Sequence, residues 1–119
     1  MRYLKDIPVL NEPSAVALGL FDGVHRGHRA VIEKAVSCAP ALTPVVFTFT
    51  FDDPDQITKP HYAAILSDTR KREIFASLGV QAVVEPPFSS FRELSPEDFF
   101  QRILREKLNA KAVFCGGDY

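Results

Sequence analysis

The residues with the clearest chemical potential lie close together near the amino end of the chain. His25 and His28 flank Gly27 at the predicted start of a helix. A helix amino end offers unpaired N–H groups and partial positive charge, and a glycine there lets a phosphate approach the backbone. Two imidazoles can donate ring N–H groups to the same phosphate oxygens. The spacing predicts a phosphate site. From the residues alone, capping or surface histidines remain alternatives, as does a metal pair, although no third His or Cys lies nearby to complete a zinc site.

The elements that must position these histidines follow from hydrophobic patterning. Residues 15–21, 44–51, 80–85 and 111–115 are short apolar or β-branched runs that predict strands. Residues 26–37, 68–78 and 96–108 have helical periodicity, with Gly79 placed to end the second helix and Ser95 placed to cap the third. The apolar face of the third helix, which we expect to point inward, includes Phe100. Residues 52–64 contain two prolines and predict a long loop. Buried strands that alternate with helices indicate a parallel sheet with right-handed crossovers, an α/β layered fold.

Parallel sheets bind ligands outside the carboxyl ends of their strands. This rule directs attention to the residues that follow Phe21, Phe51 and Cys115, and the two histidines lie in the first of these segments. Asp52 follows the second predicted strand and Asp118 follows the fourth. A solvated loop is an almost equal alternative for Asp52, and a frayed terminus is the alternative for Asp118.

Composition excludes several classes of protein. The chain has 119 residues, of which 46% are hydrophobic and ten are Phe, which argues against disorder and fits one domain or part of one. A net charge of −1 provides no basic field for nucleic acid, and no apolar run is long enough to span a membrane. The amino terminus lacks the apolar region of a signal peptide, and Cys38 and Cys115 form no CxxC pair. We therefore expect reduced, buried thiols in a cytoplasmic protein.

The wider sequence around the histidines resembles a known signature. His25-x-Gly27-His28 is similar to the HxGH motif of the nucleotidylyltransferase superfamily. The longer string resembles the FMN adenylyltransferase (FAD synthetase) domain of the prokaryotic bifunctional riboflavin kinase/FMN adenylyltransferases; it reads Gly19-x-Phe21-Asp22-Gly23-Val24-His25-x-Gly27-His28. Downstream similarity covers the rest of the chain, through the segments 46–52, 78–80, 94–99 and 116–119. The resemblance implies a Rossmann-like parallel sheet between helices, with about four strands and three helices present.

The resemblance also implies a reaction and its residues. The family transfers AMP from ATP to the phosphate of FMN, giving FAD and pyrophosphate, with ATP and FMN as small-molecule substrates. His25 and His28 are then the catalytic residues that bind ATP phosphates and stabilise the transition state. Magnesium is the implied cofactor, with Asp52 and Asp118 as candidate ligands, because the ion takes oxygen donors and needs only one or two carboxylates. The implied nucleotide cradle consists of Gly19, Phe21, Asp22, Gly23 and Gly27.

The match has limits of extent and detail. After the second strand the family commonly has a Pro-His-Pro type sequence, where this chain has Asp52-Asp53-Pro54. We expect residues 1–119 to represent the amino-terminal part of an adenylyltransferase domain, without a riboflavin kinase domain. An edge strand left by such a part would make a homo-oligomer possible. For Phe88 and Phe91, core packing is favoured over contact with a flavin ring.

Two other functions are compatible with the sequence. One is a catalytically deficient module or fragment that binds ATP or a flavin. The other is an adenylyl- or cytidylyltransferase that acts on a different phosphorylated acceptor.

Overall fold

The fold is a five-stranded parallel sheet covered by helices on both faces. The computed structural model describes residues 1–19, 26–48, 68–87, 89 and 91–115, with the backbone alone for residues 26–28 and 68–71. The strands are β1 (Arg2–Leu4), β2 (Ser14–Leu18), β3 (Thr43–Phe47), β4 (Ala82–Val84) and β5 (Ala110–Cys115). The helices are α1 (Arg26–Val36), α2 (Asp68–Leu78) and α3 (Pro96–Asp98), and α3 continues directly as a π-helical segment, Phe99–Lys107.

The order of strands across the sheet is β1-β4-β3-β2-β5, and every neighbouring pair is parallel. The predicted α/β parallel sheet is therefore confirmed. The sheet contains one strand more than expected, because β1 pairs with β4 through the register Arg2–Ala82 to Leu4–Val84. β1 is a three-residue edge strand whose side chains are exposed or half-buried, so its sequence carries no apolar signal.

Strand alternation divides the core between two helical layers. Val16, Leu18 and Phe47 point to the face covered by the π-helical segment, where they pack with Ile103 and Leu104. Ala15, Ala17 and Val46 point to the opposite face, where they pack with Ile32 of α1 and Phe75 of α2. β2 is buried along its whole length, as a central strand of a parallel sheet should be.

The helix boundaries follow the signals in the sequence. The Ser95 hydroxyl accepts a hydrogen bond from the backbone N–H of Asp98 at 3.1 Å, which caps α3. Gly79 ends α2 with φ +99°, a conformation that L side chains rarely adopt. Beyond α3 the turns widen, and the N–H of Leu108 donates to the carbonyl of Ile103, five residues back, at 3.0 Å.

The predicted burials of Phe100 and Cys115 are wrong, and that of Cys38 is only partial. Phe100 was expected on the inward face of the third helix, but it is 45% exposed because it lies beside β5, which has one strand neighbour in the described part of the sheet. Both cysteines are free, as predicted, but Cys115 is exposed at the end of that same edge strand and Cys38 is only half-buried. The extensions of the predicted strands over residues 20–21 and 49–51 lie outside the described residues.

Candidate functional site

The carboxyl ends of β2, β3 and β5 meet at one edge of the sheet. Leu18, the last residue of β2, pairs with Phe47 at the end of β3 and with Cys115 at the end of β5. The chain leaves β2 through α1 on one face and reaches β5 from the π-helical segment on the other. A reversal of this kind leaves a crevice between the two strands at their carboxyl ends, which is where open α/β sheets bind ligands.

The amino end of α1 belongs to the same edge. α1 has 11 residues, starts at Arg26 after β2 and packs against β2, β3 and β5. Its first turn contains no acidic residue, so no carboxylate of that turn neutralises the partial positive charge of the helix end. These features suit the binding of an anion such as a phosphate.

The structure describes only some of the predicted site residues. Gly19 is buried directly after β2, and its N–H donates to the carbonyl of Phe47 at 3.2 Å. Gly27 and His28 lie in the first turn of α1, where the backbone alone is described. The other predicted site residues lie outside the described residues and stay predictions; they are Phe21, Asp22, Gly23, His25, Asp52 and Asp118. The elements that carry them nevertheless converge, because the segments that contain these residues leave β2, β3 and β5 at the shared edge.

A row of residues that sequence reasoning did not identify continues the sheet one step past its strands. The Thr48 N–H donates to the Val84 carbonyl at 3.0 Å, and the Glu85 N–H donates to the Leu4 carbonyl at 2.8 Å. With Gly19, these residues place a glycine, a hydroxyl and a carboxylate side by side just after β2, β3 and β4. We call Gly19, Thr48 and Glu85 the edge row. In the sequence, the only sign of the edge row is the charge of Glu85 directly after the apolar run 82–84. Its neighbours in the row could not be inferred, because they depend on the register of the strands.

The Glu85 carboxylate is buried and firmly held. Its side chain is 3% exposed, and its Oε1 accepts hydrogen bonds from the Tyr3 hydroxyl and, at 2.8 Å, from Lys5 Nζ. The Tyr3 ring lies under the Arg72 guanidinium, with 3.8 Å between the guanidinium carbon and the ring centroid. Glu85 is the one buried carboxylate among the described residues, and it is held by Lys5, just after β1, and by the Tyr3 hydroxyl, whose ring contacts Arg72 of α2.

An apolar cavity opens on the other side of β2. It has a volume of about 450 Å³, and Leu18, Phe91, Phe99, Phe100 and Val113 contribute to its wall. Phe91 and Phe99 also pack edge-on against Phe47, with ring centroids 5.6 and 5.4 Å away. The expected core role of Phe91 is confirmed, and the same ring lines the cavity, whereas Phe88 lies outside the described residues.

Metal binding rests on the two predicted aspartates. Within the described ranges, no group of three or more His, Cys, Asp or Glu side chains could hold a metal ion. Asp52 and Asp118 are not among those residues, so the magnesium site remains a prediction. The same ranges contain no helix with the length and apolar character needed to cross a membrane.

Comparison with known proteins identifies relatives of the chain. A family model described as FAD synthetase matches residues 7–119. A bifunctional riboflavin kinase/FMN adenylyltransferase from Listeria monocytogenes is 36% identical over 116 residues, covering 87% of this chain and 34% of that protein. A protein of the same name from Pseudomonas fluorescens is 32% identical over 125 residues, covering 100% of this chain and 39% of its own length. The chain therefore spans little more than a third of these curated relatives.

Comparison with solved structures agrees on the fold. The crystal structure of a macrolide-efflux protein from Streptococcus pneumoniae matches with a TM-score of 0.80 at 28% identity, covering 98% of this chain and 41% of that one. The similarity to this solved structure supports the predicted α/β architecture. The efflux role in that protein's name is a statement about that protein alone.

Proposed function

Because this chain belongs to the FAD synthetase family, we propose that it transfers AMP from ATP to FMN, yielding FAD and pyrophosphate. The chain corresponds to 34% and 39% of the two curated relatives, so the proposal concerns the adenylyl transfer step that their names include.

One observation carries the proposal: two chemically different surfaces meet at the carboxyl end of β2. Leu18 contributes to the apolar cavity on one face, and Gly19, the next residue, belongs to the edge row beside the amino end of α1. A ligand that joins a flat apolar ring to a phosphate would occupy both surfaces at once. FMN has this composition, and its phosphate is the group that must meet the α-phosphate of ATP.

The phosphates are assigned to the α1 side of the site. The free N–H groups of the first turn of α1 would bind phosphate oxygens, and Gly27 would allow them close approach. His28, on the helix itself, and His25, just before it, would donate ring N–H groups to the α-phosphate and to the departing pyrophosphate. Gly19, Phe21, Asp22 and Gly23 would shape the cradle around ATP.

The reaction consists of a single displacement. An oxygen of the FMN phosphate forms a bond to the α-phosphorus of ATP, and the bond from that phosphorus to the bridging oxygen of pyrophosphate breaks. No covalent intermediate with the protein is needed, so the protein contributes alignment and charge stabilisation. Magnesium bound through Asp52 and Asp118 would supply neutralisation of the triphosphate charge.

The flavin ring is assigned to the apolar cavity. A volume of about 450 Å³ falls within the usual range for small-molecule pockets, and Phe91, Phe99 and Phe100 offer aromatic surface to a fused ring. Arg92 also lines this cavity and provides a polar group at its wall. The cavity lies across β2 from the proposed phosphate site, which matches the extended shape of FMN.

The direct test is product formation by the chain itself. ATP labelled on its α-phosphate, FMN and MgCl2 should yield labelled FAD and unlabelled pyrophosphate. We expect His28→Ala to lower the rate by about 10²–10³-fold, the usual effect of removing one donor to developing charge. The matched control is Lys34→Ala, in the last turn of the same helix and exposed, which should retain the wild-type rate.

Two outcomes would contradict the proposal. ATP and FMN binding without labelled FAD would identify the chain as a binding module. Transfer of label to another phosphorylated acceptor, with none to FMN, would identify a different nucleotidylyltransferase.

A further inference from the structure

Thr48 presents a physical problem in the described structure. Thr48 is 1% exposed, and its Oγ1 has no hydrogen-bond partner within the ranges that the structure describes. Buried hydroxyls are normally paired, because an unpaired one loses its hydration without compensation. Valine has nearly the same shape, would carry no such penalty and already occupies positions 45 and 46 of the same strand. A role for the hydroxyl is therefore required to explain its presence.

The position of Thr48 indicates where that role lies. Thr48 is the central member of the edge row, between Gly19 of β2 and Glu85 of β4. Phe47 points to the face of the π-helical segment, so the next residue points to the face of α1 and α2. On the side of β2, the strand that leads into α1, the neighbour of Thr48 is Gly19, which has no side chain to cover the hydroxyl. The unpartnered hydroxyl therefore belongs to the same edge and the same face as the amino end of α1.

Glu85, the neighbour of Thr48 on the side of β4, already accepts hydrogen bonds from two other residues. Glu85 Oε1 already accepts hydrogen bonds from Tyr3 and Lys5, and Thr48 forms no hydrogen bond with this carboxylate. The hydroxyl proton is consequently available to a ligand. An anion held at the end of α1 would supply the acceptor that the described protein groups do not.

We propose that the Thr48 hydroxyl is a binding group of the nucleotide site and donates a hydrogen bond to a phosphate oxygen of the bound nucleoside triphosphate. The proposal rests on the function proposed above, because that function supplies the triphosphate. It adds a residue outside the HxGH signature, on a different strand. It also explains why a hydroxyl without a hydrogen-bond partner among the described residues occupies a position suited to valine.

The test compares Thr48→Val with Thr48→Ser in the 119-residue chain. Thr48→Val removes the hydroxyl and keeps the shape, so its melting temperature should equal or exceed that of the wild type. ATP binding, measured by calorimetry in MgCl2, should weaken about tenfold, the effect of losing one hydrogen bond of about 1.4 kcal/mol. Thr48→Ser keeps the hydroxyl and should retain ATP affinity to within about threefold.

Ser14→Ala is the matched control. Ser14 is also a fully buried hydroxyl of the sheet, but it lies at the opposite edge and donates to the Leu108 carbonyl at 2.6 Å. Its loss should lower the melting temperature and leave ATP affinity unchanged. We therefore expect loss of the Thr48 hydroxyl to weaken ATP binding and loss of the Ser14 hydroxyl to lower the melting temperature.

The outcomes separate this proposal from the proposed function. Unchanged ATP affinity in Thr48→Val overturns the Thr48 role, while FAD formation by the wild type would still stand. A lower melting temperature in Thr48→Val, with unchanged ATP affinity, would assign the hydroxyl a structural role instead. Wild-type ATP binding without FAD formation would refute the transferase activity but would leave the tenfold loss of affinity as support for Thr48. Failure of the wild type to bind ATP overturns both.

Discussion

The interaction between Glu85 and Tyr3 allows a quantitative prediction about the edge of the sheet next to the site. The Tyr3 hydroxyl donates to a carboxylate whose side chain is 3% exposed, and the pair joins β1 to β4 at their carboxyl ends. Hydrogen bonds to charged groups contribute about 1.5–3 kcal/mol to stability when they are shielded from solvent. Tyr3→Phe should therefore lower the free energy of unfolding by about 2 kcal/mol.

The Glu85 carboxylate has a second partner, Lys5, whose contribution to stability is smaller. Lys5 is 54% exposed, so solvent screening limits its ion pair with Glu85 to about 1 kcal/mol or less. Glu85→Met keeps the approximate length of the side chain but leaves the Tyr3 hydroxyl without its acceptor, and we expect it to cost about 2–3 kcal/mol. Because both single changes break the same Tyr3–Glu85 hydrogen bond, the double variant should be more stable than the sum of their costs implies, by about 2 kcal/mol.

Urea unfolding followed by circular dichroism measures these free energies. A domain of this length has a total stability of about 6–18 kcal/mol, so effects of 2 kcal/mol are resolved easily. Equal m-values across the four proteins are the control for an unchanged unfolding transition. If the two changes add to within about 0.5 kcal/mol, the hydrogen bond contributes nothing to stability and the reasoning about this edge is wrong.

Three further predictions concern single positions. Ser95→Ala should lower the free energy of unfolding by about 1 kcal/mol through loss of the cap to Asp98, and Ser95→Asp should restore most of it in urea unfolding. Gly79→Ala should lower the free energy of unfolding by at least about 1–2 kcal/mol, because residue 79 has φ +99° and the new Cβ would lie 3.0 Å from Val36 Cγ1. Adding Val36→Ala should remove the contribution of this close contact and leave that of the backbone conformation. Phe100→Ala should change the melting temperature little, since the ring is 45% exposed, but should weaken FMN binding at least about fivefold by fluorescence quenching; unchanged FMN affinity would argue against the cavity as the flavin site.

Local signals in the sequence were sufficient for most of the fold. The apolar run that became β2, the amphipathic helix α1 and the Ser95 cap each depend on residues within one short segment, so pattern and propensity determine them. The strand β1 could not be predicted this way. Its three residues pair with residues 82–84, and that pairing is set by tertiary packing rather than by local preference.

The candidate site also combines features that local sequence reveals with features that depend on tertiary structure. The HxGH signature is contiguous and was recognisable without a structure, and the convergence of β2, β3 and β5 at one edge agrees with its predicted location. The edge row was not recognisable, because Gly19, Thr48 and Glu85 are neighbours only through the register of three strands. The apolar cavity likewise combines residues of β2, β5 and the π-helical segment, whose widened turns leave no distinct mark in the sequence.

The end of β2 gives a physical reason why one ligand could use both faces of this sheet. Consecutive residues of a strand point to opposite faces, so Leu18 and Gly19 belong to different layers although one peptide bond joins them. Over most of the sheet those layers are separated by the strands themselves. Among the described residues, the pairing of β2 with β5 ends at Leu18 and Cys115, and under the proposed function this is where a ligand would cross from the apolar cavity to the amino end of α1. An attacking phosphate attached to a ring in the cavity would then arrive at the α1 side already aligned, which is the form of catalysis that a displacement without a covalent intermediate requires.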